Sequence, residues 1–205
     1  MTATRRVQQQ RAYLLHHRPF RDTSQLLDVI SREHGKVTLV ARGSRSAKSK
    51  LRGVLRPFQP LRLSWILRSD LGTLTGAETD AAPLTLGGDA LLSAYYVNEL
   101  VLNFLHRHDP QPEIFDIYAQ TIAALAHSGE LAANLRVFEM DLLRLLGYAL
   151  NLEYDANLHE TIGEQRNYEY RVEQGPVSVT RSEGPMVFSG ARLRDIAAGS
   201  FEDPD

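Results

Sequence analysis

Hydrophobic and polar residues alternate in short runs through the first third of the chain. Between residues 11 and 78, runs rich in Val, Ile, Leu, Thr and Trp are separated by turn residues such as His34-Gly35 and Gly43-Ser44. The five runs are Ala12–His16, Gln25–Ser31, Lys36–Ala41, Leu61–Leu67 and Gly72–Ala77. Such closely spaced strands predict a small closed or nearly closed β-barrel, with the OB-fold as the obvious candidate and an SH3-like barrel as the alternative.

The period of the pattern changes to that of helices after Gly87-Gly88. Apolar residues at i, i+3 and i+4 predict one helix that ends before Asp109, a second over about residues 112–127 and a third over residues 131–146. Beyond Asn151 the pattern indicates a β-hairpin over residues 168–180 and a short helix over residues 191–198. The predicted domains are therefore a barrel over residues 1–80, a helical domain over residues 81–152 and a small element over residues 153–205.

Charge is divided unevenly along the chain, although the formal net charge is only −2. Residues 1–70 hold 15 Lys and Arg against 4 Asp and Glu, a net of +11. Residues 71–205 hold 8 Lys and Arg against 21 Asp and Glu, a net of −13. One end of the chain is thus strongly cationic, and this asymmetry favours a polyanionic partner for that end.

The densest cluster of cations is the segment ARGSRSAKSKLRGVLR, residues 41–56, which holds six Lys and Arg and no acid. Such a run can be a solvated face, but six like charges repel one another, and a polyanion that binds them releases its own counterions. We therefore predict a nucleic-acid site on the barrel. Its predicted residues are Arg18, Arg21, Lys36, Arg42, Arg45, Lys48, Lys50, Arg52 and Arg56.

Aromatic residues of the barrel are candidate platforms for unpaired bases. Tyr13, Phe20, Phe58 and Trp65 are the candidates, although an aromatic side chain in a small barrel more often belongs to the core. Phe20, between Pro19 and Arg21, is expected in a loop, and of the four it is the one we expect to be most exposed. Trp65 alternates with Leu61, so we expect it in the core.

Other chemistries find little support in the sequence. The chain has no cysteine, which excludes disulfides and thiolate zinc sites. GSRSAKS, residues 43–49, has the wrong spacing for a P-loop, and neither His16-His17 nor His106-x-His108 has the spacing of a metal site. We predict no catalytic residue, no metal and no cofactor. An apolar signal segment and a membrane span are likewise not expected, which predicts a cytoplasmic chain.

Three segments closely resemble the RecO family of bacterial recombination mediators. They run from AYLLHHRPF to GVLRPFQPL, then over YYVNELVLNFLHRHDPQPEIFDIY and over NLRVFEMDLLRLLGYALNL. The resemblance covers about residues 11–152 well and the SGARLRDIA segment more loosely. It implies an α+β multidomain fold, in which an N-terminal OB-fold barrel is followed by an α-helical bundle and a small C-terminal hairpin and helix.

The resemblance also implies a function without covalent chemistry. RecO proteins bind single- and double-stranded DNA, anneal strands coated with single-strand-binding protein and, with RecR, help to load RecA. They bind the acidic, Phe-ended tail of single-strand-binding protein on the helical domain, where a basic residue contributes. That residue corresponds to Arg136 in LRVFE, although Arg136 could equally be a surface residue that pairs with Glu139.

The sequence departs from the family pattern at two places. Many members hold a structural zinc with four cysteines after the third helix, and this chain has no cysteine there, so we expect no zinc. Family members also usually continue past SGARLRDIA into a further basic, helical segment, whereas this sequence ends at Asp205. Two alternatives to the DNA mediator stay open: an RNA-binding OB-fold protein, and a protein–protein adaptor with a basic barrel.

Overall fold

The barrel strands extend those predicted from the alternating runs. The computed structural model describes residues 5–127 and 129–201, and the chain forms two units, residues 1–131 and 132–205. In the first unit the strands are β1 (Arg5–Phe20), β2 (Ser24–Ser31), β3 (Gly35–Ala41), β4 (Leu61–Leu67) and β5 (Leu71–Thr79). A single helical turn, α1 (Leu51–Val54), lies between β3 and β4. The helices α2 (Gly88–Phe104) and α3 (Pro112–His127) follow the barrel.

The five strands close in the order β1-β2-β3-β5-β4, with β4 returning to β1. All neighbours are antiparallel except β3 and β5, whose parallel pairing runs from Thr38 opposite Leu71 to Val40 opposite Thr73. This closed five-stranded arrangement is the OB-fold. The predicted fold class is therefore confirmed, with the barrel followed by a helical region and a small strand and helix element.

Strand β1 is 16 residues long and closes the barrel because it pairs on both sides. Its first half pairs with β4, from Arg5 opposite Leu67 to Ala12 opposite Leu61. Its second half pairs with β2 as far as Phe20 opposite Ser24. The sequence predicted only its central part. Among residues 5–10, Val7 alone is buried, so the alternation that marks a half-buried strand is weak there.

The barrel core consists of aliphatic side chains that point inward from all five strands. Trp65 is 1% exposed and lies in this core, which confirms its predicted place. Among the leucines of this core, Leu14, Leu27, Leu39, Leu61 and Leu63 are each at most 1% exposed. Burying a side chain of this size stabilises the fold by about 1.5–3 kcal/mol before the loss of chain entropy is counted.

The connection between α2 and α3 is bound to the first residues of β3. The backbone N–H of His108 donates to the carbonyl oxygen of Lys36 at 2.9 Å. Gly35 has φ +64°, and a Cβ atom on it would lie 1.9 Å from the carbonyl oxygen of Asp109. Only glycine permits both this backbone conformation and so close an approach. The helical segment is thereby attached to one end of the barrel.

A buried hydrogen-bonded relay attaches both helices to β1. The pairing of β1 with β2 shifts its register between Leu14 and His16, which removes Leu15 from the regular pairing. The side-chain amide of Asn98 in α2 donates to the carbonyl oxygen of Leu15 at 2.8 Å. Its own side-chain oxygen accepts the hydroxyl of Tyr118 in α3 at 2.8 Å. Burial raises the pKa of Tyr118 well above its usual value, so this hydroxyl stays protonated and donates.

The second unit begins at Ala132, the second residue of α4 (Leu131–Leu145), and also contains a three-stranded sheet. The sheet has the order β7-β6-β8, and the elements are β6 (Asn167–Arg171), β7 (Gly175–Val179), β8 (Val187–Ser189) and α5 (Gly190–Ala197). Its core is formed by Leu152, Ile162, Tyr168 and Leu193. The predicted hairpin and terminal helix are present, whereas β8 was not predicted. The domain limits predicted at residues 80 and 152 stay predictions.

A buried carboxylate holds the loop before this sheet. Asp155 is 2% exposed, and one of its oxygens accepts the backbone N–H groups of Asn157 and Leu158 at 2.8 and 3.0 Å. The other oxygen accepts the N–H of Ser178 in β7 at 2.9 Å. Burial alone raises the pKa of Asp155, but these hydrogen bonds outweigh it and lower the pKa below its usual value.

Replacement of Asn98 by Leu should destabilise the first unit. The change leaves the Leu15 carbonyl and the Tyr118 hydroxyl buried without partners, at a cost of about 2–4 kcal/mol in the free energy of unfolding. Urea unfolding followed by the fluorescence of Trp65, which is the only tryptophan in the chain, measures this loss. Asn103→Leu, at an exposed position of the same helix, is the control. Equal stabilities of the two variants would contradict the assigned role of the relay.

Replacement of Asp155 by Asn should weaken the second unit, because an amide NH₂ cannot accept the Ser178 N–H. We expect a loss of about 1–3 kcal/mol at neutral pH, seen as faster hydrogen exchange of the Ser178 amide by NMR. Because the folded pKa lies below the usual value of 3.8, the contribution of the carboxylate is present above that value. It is lost as the pH falls through the folded pKa, so the two proteins should converge in acid. A constant difference down to acid pH would refute this.

Candidate nucleic-acid interface

The predicted cations between β3 and β4 belong to one segment, residues 42–56, which we call the basic loop. Its first part is bound to the barrel. Ser44 is 1% exposed, and its hydroxyl lies 2.9 Å from the carbonyl oxygen of Ala41 and 3.0 Å from Oε1 of Gln25, so it can donate to either. The backbone N–H of Arg45 donates to the carbonyl oxygen of Thr23 at 2.9 Å. The loop is thus fastened to the turn between β1 and β2.

The second part of the basic loop is held by apolar contacts. Leu51 and Val54 of α1 pack against the barrel core, and Leu55 beside them is 9% exposed. Their spacing is that of one helical face. Because α1 has only four residues, its helical spacing of apolar side chains is not recognisable in the sequence, and these contacts with the barrel core were not predicted. The basic loop is consequently a fixed part of the barrel surface.

The cations of the basic loop face solvent and have no acidic partner among the described residues. All six are exposed, namely Arg42, Arg45, Lys48, Lys50, Arg52 and Arg56. In the part of the chain that the structure describes, none of them takes part in a salt bridge. The Arg45 guanidinium makes only long hydrogen bonds, to the carbonyl oxygens of Arg21 and Asp22 at 3.5 and 3.4 Å. Their charge is therefore available to an external anion.

Three other barrel cations were predicted, and two of them, Arg18 and Arg21, lie at the end of β1 and in the turn that follows it. Arg21 stands in the turn to which the basic loop is fastened, and its guanidinium carbon lies 5.2 Å from the centre of the Phe20 ring. Arg18 in β1 donates to Asp28 at 3.3 Å, which offsets part of its charge. The structure thus places Arg21 beside the basic loop and leaves Arg18 nearby with an acidic neighbour.

Lys36 lies toward the other end of β3, six residues and hence about 20 Å from Arg42. Its ammonium group donates to the carbonyl oxygen of Leu102 at 2.6 Å. That carbonyl belongs to the last turn of α2, where carbonyl groups lack helical partners and a cation is favourable. Burial lowers the pKa of Lys36, and the charge of Arg107 lowers it further. The structure therefore does not bring Lys36 together with the basic loop.

Most of the candidate stacking residues are buried. Tyr13, Phe58 and Trp65 are 7%, 5% and 1% exposed, so their rings are not presented to a ligand. Tyr13 instead packs against the rings of Phe115 and Tyr118. Phe20 is partly exposed, as expected, but its expected place in a loop is wrong, because it is the last residue of β1 and pairs with Ser24. Of the four candidates, only Phe20 therefore presents part of its ring to solvent.

Arg136 lies on α4 in the second unit, with its side chain exposed. It forms an ion pair with Glu139 one turn away. A groove of about 450 Å³ in the same unit has walls that include Met140, which lies one helical turn from Arg136, together with Leu150 and Leu152. A cation thus stands near an apolar groove in the same unit.

The described residues contain neither a cluster of metal-ligating side chains nor a helix that could span a membrane. Across residues 5–127 and 129–201, no three His, Asp or Glu side chains come together as a metal site would require. No helix within these ranges is both long and apolar enough to cross a membrane.

Comparison with family models matches almost the whole chain. The family model described as Recombination protein O N terminal matches residues 5–82, which are the barrel. The model described as Recombination protein O C terminal matches residues 87–193, which include all of α2, α3, α4 and β6–β8.

Relatives with the same name match over similar lengths. DNA repair protein RecO of Nitrosococcus oceani is 43% identical over 97% of this chain and 81% of its own length. That of Dechloromonas aromatica is 41% identical over 100% of this chain and 86% of its own length. That of Burkholderia lata is 44% identical over 98% of this chain and 72% of its own length. Both comparisons agree with the barrel and helices described above, and the chain belongs to the RecO family of DNA repair and recombination proteins.

Proposed function

We propose that this protein is a recombination mediator that binds single- and double-stranded DNA through the basic loop. In this role it anneals complementary strands coated with single-strand-binding protein and, together with RecR, helps to load RecA. The observation that carries the proposal is a loop with six exposed cations, fixed to the end of an OB-fold barrel and without acidic partners in the described chain. Membership of the family supports the same role.

The loop suits a phosphate backbone because its charge is uncompensated. Each phosphate that a Lys or Arg neutralises releases condensed counterions, which favours binding to any DNA sequence. Contacts of this kind position a strand without reading its bases. A strand held in this way keeps its base-pairing edges free, and a second strand can then pair with it. Binding of the DNA backbone is therefore compatible with annealing. Because neither binding nor annealing forms or breaks a covalent bond, we propose no enzymatic activity.

The tail of single-strand-binding protein is proposed to bind the second unit at Arg136. An acidic tail with a terminal phenylalanine needs a cation and an apolar surface, and Arg136 stands near the groove beside Met140. The pair with Glu139 does not oppose this role, since the Arg136 side chain is 58% exposed and an ion pair that water can reach typically contributes about 0–1 kcal/mol. The tail would exchange one carboxylate partner of Arg136 for another.

Two weak contacts on one chain support the handling of coated DNA. The basic loop would bind the strand, while Arg136 would bind the protein that coats it. Binding at one site raises the effective concentration of the other ligand at the second site. The net charge of −13 over residues 71–205 disfavours DNA outside the barrel. The links to RecR and RecA rest on the family alone, and we expect the protein to act in the cytoplasm, at the bacterial nucleoid.

Charge reversal in the basic loop should abolish binding of single-stranded DNA. In the variant, Arg45, Lys48, Lys50 and Arg52 are all changed to Glu. We expect a loss of affinity of about 100-fold or more, because several phosphate contacts are replaced by repulsion. Fluorescence anisotropy of labelled single strands measures it, at about 50 and 200 mM salt. The wild type should weaken by orders of magnitude between these concentrations.

A control variant carries the same change of net charge at the opposite end of the barrel, with Arg5, Arg6, Arg68 and Arg107 changed to Glu. These four arginines are also exposed and form no salt bridge among the described residues. Equal losses in both variants would show that overall charge, not the basic loop, governs binding. Stronger binding of RNA than of DNA would favour the RNA-binding alternative, and absence of any nucleic-acid binding would favour the adaptor.

Replacement of Arg136 by Ala should weaken binding of the acidic, Phe-ended tail peptide about tenfold, because a charge-assisted hydrogen bond is lost. Affinity for naked DNA should not change. Isothermal titration calorimetry with the peptide measures the effect. Arg171→Ala is the matched control, since Arg171 is an exposed arginine of the same unit that also pairs with one glutamate, Glu169. If both variants bind the peptide as the wild type does, the tail site lies elsewhere.

A further inference from the structure

A groove runs between β1 and α2 in the first unit. It has a volume of about 530 Å³, within the range of sites that bind small molecules. Its walls include Leu15, His16, His17, Pro57, Tyr95 and Asn103. The groove combines apolar surface with imidazole and amide groups, which is the composition expected where a planar, polar-edged ligand binds.

Tyr95 presents the ring best placed to receive such a ligand. It is 49% exposed, although it is a large aromatic residue on a helix that packs against the barrel. Its ring meets that of Phe58 edge to face, with centroids 5.0 Å apart and an angle of 76°. Phe58 is buried and has φ +64°, a conformation rare for a bulky residue. Tyr95 is therefore held on one side and open to solvent on the other.

The groove is continuous with the basic loop through the backbone. Arg56, the last cation of the loop, directly precedes Pro57 in the groove wall and Phe58 beneath Tyr95. Glu99 also lines the groove and disfavours a phosphate inside it. Charge thus separates the two surfaces, with phosphates favoured on the loop and an uncharged ring favoured in the groove.

We propose that the groove receives an unpaired base of a DNA strand whose phosphates lie on the basic loop, and that the base stacks on Tyr95. This inference rests on the proposed DNA binding and extends it. Every base has a flat face, so stacking is compatible with binding of any sequence. A base inside a duplex cannot reach the ring without leaving its neighbours. The groove therefore gives the protein a preference for single strands over duplexes that the basic loop alone does not supply.

The test compares Tyr95→Ala and Tyr95→Leu with Tyr95→Phe, which keeps the ring. Affinities for single-stranded and duplex DNA of the same length are measured by anisotropy. We expect the Ala and Leu variants to bind single strands about 5- to 100-fold more weakly and duplex DNA unchanged. Tyr95→Phe should bind as the wild type does. Tyr148→Ala, at a tyrosine that is 73% exposed in the second unit, is the control and should have no effect.

A second measurement reports stacking directly. The fluorescence of 2-aminopurine in a single strand should fall on binding to the wild type and to Tyr95→Phe, but not on binding to Tyr95→Leu at saturation. Urea unfolding followed by Trp65 identifies a variant that fails to fold, and the Leu side chain retains apolar contact with Phe58. Unchanged affinity of Tyr95→Leu for single strands, or equal losses for single strands and duplex, would overturn the inference.

The outcomes for the two proposals are separable. Loss of binding in the charge-reversed loop with none in Tyr95→Leu would leave DNA binding by the loop intact and refute the stacking site alone. Failure of the wild type to bind any DNA would refute both.

Discussion

The first unit depends on one buried side-chain amide, because Asn98 satisfies two buried polar groups, the carbonyl of Leu15 and the hydroxyl of Tyr118. A bulge in β1 exposes the carbonyl group of Leu15 to α2, and only a side chain with both a donor and an acceptor can serve it and the Tyr118 hydroxyl together. The two hydrogen bonds of Asn98 fix the position of α2 along the barrel surface. The same position brings Leu102 to Lys36 and Tyr95 to Phe58. The buried hydrogen bonds of Asn98 thus also determine which face of α2 is exposed beside the basic loop.

Within the described residues, the cations of the basic loop are unpaired, whereas many arginines elsewhere form ion pairs. Several arginines elsewhere, such as Arg32 with Asp116 and Arg62 with Asp80, have a carboxylate within 3 Å. The basic loop instead keeps its cations exposed and is held by Ser44 and by apolar side chains beneath it. Fixing the backbone in this way reduces the entropy lost when a strand binds, while leaving every charge free to exchange counterions. Such a surface binds reversibly and is sensitive to salt.

The sequence predicted the elements whose information is local. Trp65 and its neighbours showed the period of two and identified the barrel, and the helices followed from their apolar spacing. The start of β1 was missed because its partner strand lies some 55 residues farther along the chain. Lys36 was counted with the DNA-binding cations, since nothing near it in sequence reveals the carbonyl of Leu102. The burial of Phe58 and the exposure of Tyr95 likewise depend on how helix and barrel pack, which no local pattern encodes.

The long first strand has a consequence for the order in which the protein folds. Arg5 pairs with Leu67, and the parallel pair of Leu39 with Gly72 completes the ring, so the strand synthesised first is the one that must wait for its second neighbour. During translation the β1–β2–β3 meander can form early, but its two outer edges stay open until β4 and β5 have been synthesised. Because joining distant segments costs chain entropy, we expect that closure to be the slow step. Because the segment that follows β3 holds six like charges, we expect it to disfavour association between the open edges of neighbouring chains in that interval.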